Sequence, residues 1–313
     1  MIDRIRIGTR GSRLALWQAN HVKSLLEAAW PGLFVSIVEI HTRGDRDQAT
    51  SLTATGGIGF FTKEIEQALI NERVDLAVHS LKDLPTVLVP GLTLGAVPER
   101  EDTRDALIGR PGRVDGTVDL TPGTRVGTSS PRRQGQLLAA CPGIACERIR
   151  GNVPTRIAKV SEDGGPDATI LALAGLKRLA LTDAVTEILP LETMLPAAGQ
   201  GALGLEVRED DAGAREVLAA LEDPAARAAV TAERAFLHRL EGGCSIPAGA
   251  LGEVVDGRLV LDGVVADVDG GGLCRARVEG DPADAGALGG ELAEVLLSLG
   301  AGKILARLRS DEP

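Results

Sequence analysis

Charged and apolar positions alternate at the start of the chain, so Arg4-Ile5-Arg6-Ile7 predicts a strand that runs into Gly8-Thr9-Arg10-Gly11-Ser12. Val22, Leu25, Leu26 and Ala29 then fall at helical spacing, and Pro31-Gly32 ends that element. The unit recurs. Phe34 to Ile40 predicts a second strand, Thr62 is placed to cap a helix carrying Glu64, Ile65, Ala68 and Leu69, and Val74, Leu76 and Val78 predict a third strand. After a further strand over Leu92, Leu94 and Ala96, the charged run from Pro98 to Asp105 reads as a crossing between lobes. A second run of the same kind begins at about Ala106. Arg125-Val126-Gly127 leads into a helix start with Ser130 as cap and Pro131 in the first turn, and Ile144 to Ile149 and Asp167 to Leu173 read as strands. The glycine-punctuated stretch Leu195 to Val207 predicts the return crossing, with Gln200 facing a cleft. A helix from Pro224 to Leu240 follows. Strands at Gly249 to Val255, Leu259 to Val265 and Leu273 to Val278, a hairpin loop at Asp269-Gly270-Gly271-Gly272 and a helix around Glu291 to Leu299 close the chain.

This order predicts an α/β fold of two doubly wound lobes with a cleft between them, plus a small C-terminal α+β domain. The lobes are expected over residues 1–99 with 200–219 and over 105–195, and the last domain over 222–313. Ligands of open α/β sheets bind outside the carboxyl ends of strands, which directs attention to the turns. Arg10 and Ser12 follow the first strand, where free backbone N–H groups and the helix dipole favour an anion. The third strand ends in His79-Ser80-Leu81-Lys82-Asp83-Leu84-Pro85. Ser80, Lys82 and Asp83 are candidates for acid–base or charge-stabilising work, a surface Lys-Asp pair being the plain alternative, and His79 is read as structural. Thr128, Ser129, Ser130, Arg132 and Arg133 converge on one helix start suited to carboxylate or phosphate, and Arg150-Gly151-Asn152 with Arg156 repeats the arrangement. The glycine run Gly56-Gly57-Ile58-Gly59 matches neither a Rossmann nor a Walker pattern.

Composition sharpens this. The 313 residues are 44% hydrophobic but only 2% aromatic, as suits cores of Ala, Val, Leu and Ile, and the formal net charge is −10. That charge opposes general affinity for nucleic acid or anionic membrane, so several basic loops in so acidic a chain point to a polyanionic ligand held in a cleft. The N-terminus lacks the apolar core of a secretory signal and no segment has the length of a membrane span, so a soluble, cytoplasmic protein is expected. Cys141, Cys146, Cys244 and Cys274 form no C-x-x-C pair, which encourages neither a disulfide framework nor a metal site. Cys244 stands apart in Leu240-Glu241-Gly242-Gly243-Cys244-Ser245-Ile246-Pro247. By itself that loop allows either a presented thiol or a small apolar filler.

Taken in order, Thr9-Arg10-Gly11-Ser12, His79-Ser80-Leu81-Lys82-Asp83, Gly127-Thr128-Ser129-Ser130-Pro131-Arg132-Arg133-Gln134, Arg150-Gly151-Asn152 and Leu240-Glu241-Gly242-Gly243-Cys244 resemble the porphobilinogen deaminase (hydroxymethylbilane synthase) family over essentially the whole chain. The resemblance implies a transferase that condenses four porphobilinogen units head to tail, releasing ammonia, and that acts as a monomer. It implies a dipyrromethane cofactor attached through Cys244 and contacted by Ser80, Lys82, Thr128, Ser129, Ser130, Arg132, Arg133, Gly151 and Asn152. It also implies Asp83 as the catalytic carboxylate, with Arg10, Ser12, Arg150, Arg156 and Gln200 on the substrate side and no metal. One departure is visible: Ala54 and Ile58 stand where relatives often carry lysines in the loop Leu52 to Phe61. Two other readings remain, a two-lobed small-anion binding protein without catalysis, and a pyridoxal- or phosphate-binding enzyme using Lys82. The first would call for a secretion signal or a DNA-binding module.

Overall fold

The computed structural model describes residues 2–41, 62–241 and 246–310. Strand β1 (Arg4–Thr9) leads through Ser12, whose hydroxyl accepts from the Ala15 N–H at 3.3 Å, into helix α1 (Arg13–Ala29). The cap satisfies one of the first-turn donors, and Ala19, Val22 and Leu26 bury the apolar face against the sheet. Then come β2 (Phe34–Glu39), α2 (Lys63–Ile70), β3 (Leu76–Ser80) and β4 (Leu92–Ala96). The second lobe is built from β5 (Asp105–Gly109), β6 (Arg125–Gly127), α3 (Pro131–Ala140), β7 (Ala145–Glu147), α4 (Val153–Ser161), β8 (Ala168–Ala172), α5 (Leu173–Arg178) and β9 (Glu187–Ile188). The chain returns through β10 (Leu203–Arg208) and α6 (Ala212–Leu218) before α7 (Pro224–Arg239). It ends in β11 (Ala248–Val255), β12 (Arg258–Ala266), β13 (Leu273–Gly280), α8 (Ala285–Ser298) and α9 (Ala301–Ser310).

Two five-stranded sheets, ordered β2-β1-β3-β10-β4 and β7-β6-β8-β5-β9, share one plan. In each, four strands run in one direction and the fifth, next to a crossing, is inserted antiparallel: β10 pairs antiparallel with β3 and β4, and β5 with β8 and β9. Apolar clusters lie on both faces of each sheet. In the first lobe Ile5, Ile7, Val22, Leu26, Leu205 and Leu218 form one, and Ile65, Leu69, Val74 and Leu92 the other, which is the doubly wound arrangement. The third unit is the antiparallel sheet β11-β12-β13 with its helices on one face, where Phe236, Leu261, Leu292 and Leu296 are fully buried. There α7 and α8 approach so closely that a Cβ on Gly289 would lie 2.2 Å from the Ala232 carbonyl oxygen.

All three units meet at one buried carboxylate. Glu233 of α7 is 0% exposed and accepts from Arg100 Nη1 at 2.6 Å and Nη2 at 3.0 Å, from the Gly199 N–H at 2.6 Å and from the Gly252 N–H at 2.8 Å. One residue on each crossing and one on β11 are thereby tied to a single side chain, and its charge is offset by a bidentate guanidinium. The crossings run side by side. Gly201 has φ +86° and a Cβ there would sit 2.2 Å from the Glu101 carbonyl oxygen, so both conformation and space call for glycine.

Several expectations need correcting. Thr62 stands at the N-cap of α2 but makes no capping hydrogen bond through its side chain. The strand expected to reach Leu173 stops at Ala172 and turns directly into α5. Helices α5, α6 and α9 and the two-residue strand β9 were not anticipated; α5 and β9 are too short to show a period, and β9 is fixed by its pairing with β5. The hairpin loop is as expected, with the Gly270 N–H donating to the Asp267 carbonyl at 2.9 Å.

Candidate active site

The ends of β3, β6 and β8 and the two crossings bring most of the predicted residues together. After β3 the backbone makes a single 3-10 turn, Leu81–Asp83, in which Leu81 is buried and Asp83 is exposed. The alternation places Leu81 in a cluster with Leu84, Val97, Ala202 and Val230, so Asp83 faces outward while Lys82 is half-buried. Ser80, just before it, accepts from Gln18 Nε2 at 2.7 Å. His79, at 6% exposure, pairs with the fully buried Glu206 across β10 at 3.0 Å, a structural partnership inside the sheet.

Lys82 Nζ donates to Gln200 Oε1 at 3.3 Å. Gln200 does not open onto solvent: it is 0% exposed, and its Nε2 donates to the Thr103 carbonyl at 2.7 Å and to Asp105 Oδ1 at 3.0 Å. Asp105, also 0% exposed, receives Arg132 Nη1 on Oδ2 at 2.8 Å and Arg133 Nη2 on Oδ1 at 2.7 Å. The two arginines expected to clamp an external carboxylate therefore hold the chain's own. Both also donate to backbone carbonyls, Arg132 Nη1 to Leu195 at 2.7 Å and Arg133 Nη1 to Ile170 at 2.9 Å. Arg133 Nε is buried and has no hydrogen-bond partner among the described residues. Buried polar groups are nearly always paired, so this orphan donor calls for an acceptor beyond the described residues, and a ligand carboxylate would meet the need.

Charge follows the same geometry. Burial would raise the Asp105 carboxyl, but the charges and hydrogen bonds of Arg132 and Arg133 outweigh it and hold it well below the usual carboxylate range. Burial pulls the Lys82 ammonium down to about 8; Arg133 and Arg132 add to the fall, and Asp83 and Asp105 oppose it. Arg156 is lowered by burial and by Arg133, with Asp83 acting against them. Four cations, Lys82, Arg132, Arg133 and Arg156, thus stand against two carboxylates, Asp83 and Asp105, in a chain of net charge −10. A locally positive site of this kind is made for carboxylates.

The helix starts nearby serve their own backbones first. Ser130 accepts from the Arg133 N–H at 3.4 Å, Thr128 Oγ1 from the Ser130 N–H at 3.2 Å, and Ser129 Oγ donates to the Ile149 carbonyl at 2.7 Å. Asn152 caps α4 by accepting from the Thr155 N–H at 3.0 Å, and Gly151, at φ +116°, accepts Arg156 Nε on its carbonyl at 2.8 Å. Arg10 is half-buried at the end of β1, Ser12 caps α1, and Arg150 is exposed. Cys244 and the loop Leu52 to Phe61, with Ala54, Gly56, Gly57, Ile58 and Gly59, lie outside the described residues. Among those described, no group of three or more His, Cys, Asp or Glu could hold a metal ion, and no helix is long and apolar enough to cross a membrane. Sequence reasoning missed Asp105. As the last residue of a charged run it carried no sign that it would become a buried hub.

The family model for the dipyrromethane cofactor binding domain of porphobilinogen deaminase matches residues 5–216, and that for the C-terminal domain of porphobilinogen deaminase matches residues 227–298. The chain is 49% identical over 309 residues to the porphobilinogen deaminase of Syntrophobacter fumaroxidans, covering 98% of this chain and 99% of the relative. It is 51% identical over 302 residues to that of Trichlorobacter lovleyi, covering 96% of each. Among solved structures, substrate binding domain 2 of Lactococcus lactis GlnP in the open conformation aligns at a TM-score of 0.44 and 11% identity over 70% of this chain and 88% of that one, too slight a likeness to bear on function.

Proposed function

The chain belongs to the porphobilinogen deaminase family, and from that premise we propose how its residues join four porphobilinogen molecules head to tail into hydroxymethylbilane. The reading is supported above all by the exposed Asp83 beside Lys82 and Arg156, with Arg132 and Arg133 paired to Asp105 next to them, in an acidic chain. Each junction breaks the bond between the aminomethyl carbon and nitrogen of one porphobilinogen. The electron pair leaves with ammonia, and a cation remains on the methylene carbon, shared with the ring nitrogen. Asp83 supplies a fixed negative charge beside that cation, which exists only along the reaction path, so the interaction lowers the barrier rather than merely tightening binding. A proton then leaves the pyrrole carbon that has formed the new bond.

The site fits a dipyrromethane, whose rings carry carboxylates: the unpartnered Arg133 Nε and the surplus of cations both ask for acceptors. Its holders are Ser80, Lys82, Thr128, Ser129, Ser130, Arg132, Arg133, Gly151 and Asn152, with a thioether to Cys244. When bound, it presents the pyrrole carbon to which the first unit is joined. Arg10, Ser12, Arg150, Arg156 and Gln200 serve the incoming substrate, the arginines by pairing with its acetate and propionate groups and Gln200 by holding Lys82 in place. The same reading makes the protein a cytoplasmic monomer working on a free small molecule, with neither nucleic acid nor membrane as partner. Intact mass spectrometry tests it. Active protein should weigh more than its sequence by one dipyrromethane, located on the peptide containing Cys244 and absent from Cys244→Ala; an unmodified mass in active protein would overturn the assignment.

Lys82 offers a second check. In the Cys244→Ala variant, which cannot be loaded, acylation of Lys82 should be half-maximal near pH 8 instead of the ordinary 10.5, because the neutral amine is the reactive form and burial favours it. Peptide mapping across pH reads this directly, and labelling delayed to pH 10 would show that the ammonium is not desolvated.

A further inference from the structure

The turn that carries Asp83 is fixed at both ends, and one of the two fixtures comes from the third unit. At its start the Leu81 N–H donates to the Ala202 carbonyl at 3.0 Å, and within it the Leu84 N–H donates to the Leu81 carbonyl at 3.1 Å. At its exit Arg234, on α7, donates from Nη1 to the Leu84 carbonyl at 3.0 Å and from Nη2 to the Pro85 carbonyl at 2.6 Å and the Thr86 carbonyl at 3.3 Å. Three successive carbonyls thus converge on one guanidinium. Pro85 has no N–H with which to brace the segment itself, and Leu84 is buried at 3% exposure, so the carbonyls beside it need donors from the protein. Lys82 and Asp83 are the residues left between the two anchors.

We propose that Arg234 is a positioning residue for the reaction: it holds the exit of the Asp83 turn, so that the carboxylate is presented at a fixed height above the strand ends. A planar fork with several donors suits a fan of carbonyls, whereas a lysine offers one compact charge that cannot span them. Arg227 provides the comparison. It lies two turns earlier on the same face of α7, but it pairs with Glu222 at 2.6 Å and donates to the Leu94 carbonyl at 3.2 Å, contacts that secure α7 to β4 without touching the Asp83 turn. Both arginines border the same cleft between α7 and residues 86–94, so Arg227 serves as the control for loss of an arginine from that contact. Only Arg234 reaches the turn.

This inference rests on the assignment of Asp83 made above. The experiment compares Arg234→Met and Arg227→Met in the cofactor-loaded, full-length enzyme, measuring kcat, KM for porphobilinogen, intact mass and amide exchange across residues 81–84. For Arg234→Met the expected result is a kcat lower by about 10- to 100-fold, the scale of a small misplacement of a reacting group, with KM changed by less than about twofold. Exchange across the turn should quicken, and the added mass should remain. Arg227→Met should show near-normal kcat and unchanged exchange in the turn. Methylguanidine added to Arg234→Ala should recover part of the lost kcat by refilling the guanidinium's place. The proposal is overturned if Arg234→Met keeps wild-type kcat, or if Arg227→Met loses as much. Should Arg234→Met not fold, Arg234→Lys carries the test: reduced kcat at constant KM supports the proposal, and undiminished kcat removes it. If instead Asp83→Ala turns over normally, it is the underlying assignment of the carboxylate that fails.

Discussion

Replacing Asp83 by alanine should give a folded, cofactor-loaded protein whose kcat is lower by about 10²- to 10⁴-fold, the range for removal of one preorganised charge or acid–base group. The fold should be indifferent to the change, because the side chain is exposed and the turn is held by Leu81, Leu84 and Arg234 instead. Substrate affinity should change little, since the carboxylates of porphobilinogen meet the arginines and not Asp83. Loss should therefore appear in kcat with KM nearly constant, the mark of an interaction made mainly in the transition state. Steady-state kinetics beside intact mass and a thermal melt suffice to check it. Near-normal turnover would mean that another carboxylate does the work. Asp105, the other acid of the cluster, is not a ready substitute: it is sealed beneath Arg132, Arg133 and Gln200.

Asp105 carries the second large effect, on stability. Asp105→Asn keeps the size of the side chain but leaves Arg132 and Arg133 buried without their counter-charge, and breaking a buried pair in this way costs about 3–5 kcal/mol. The pH dependence follows from the direction of the shift. Asp105 titrates lower in the folded chain than its ordinary 3.8, so its stabilisation is complete above that value and disappears as pH falls below it toward the folded pKa. Denaturant midpoints of wild type and variant should accordingly differ by a constant amount from neutral pH to about pH 5 and converge below about pH 4. A gap that widens on acidification would contradict the assigned role. Because Gln200 and Lys82 hang from the same carboxylate, the variant should also lose affinity for porphobilinogen.

Much of this was legible from short-range patterns. The strand–turn–helix rhythm of both lobes, the cap at Ser130, and the placing of polar side chains at strand ends come from interactions within a few residues, so spacing and residue type suffice to read them; Ser12 and Asn152, read as ligand-facing, turn out to cap their helices as well. His79 could be read as structural because the neighbouring Lys82 and Asp83 already supplied the chemistry, and its pairing with Glu206 agrees. Gln200, expected to face the cleft, faces Asp105 and Lys82 instead. Arg132 and Arg133 show why. A cationic helix start looks the same in sequence whether its counter-ion is a ligand or a carboxylate 27 or 28 residues away.

What the sequence determined by itself was local: which segments are strands and helices, where they are capped, and which turns carry charge. Only the tertiary structure decided what those charges meet. The antiparallel insertion of β10 and β5, the junction of all three units at Glu233, the burial of Asp105 under two arginines, and the grip of Arg234 on carbonyls 149 and 150 residues away each depend on groups brought together by folding. No period or cap encodes such a partner, because its energy is set by burial and geometry that exist only once the chain has closed upon itself.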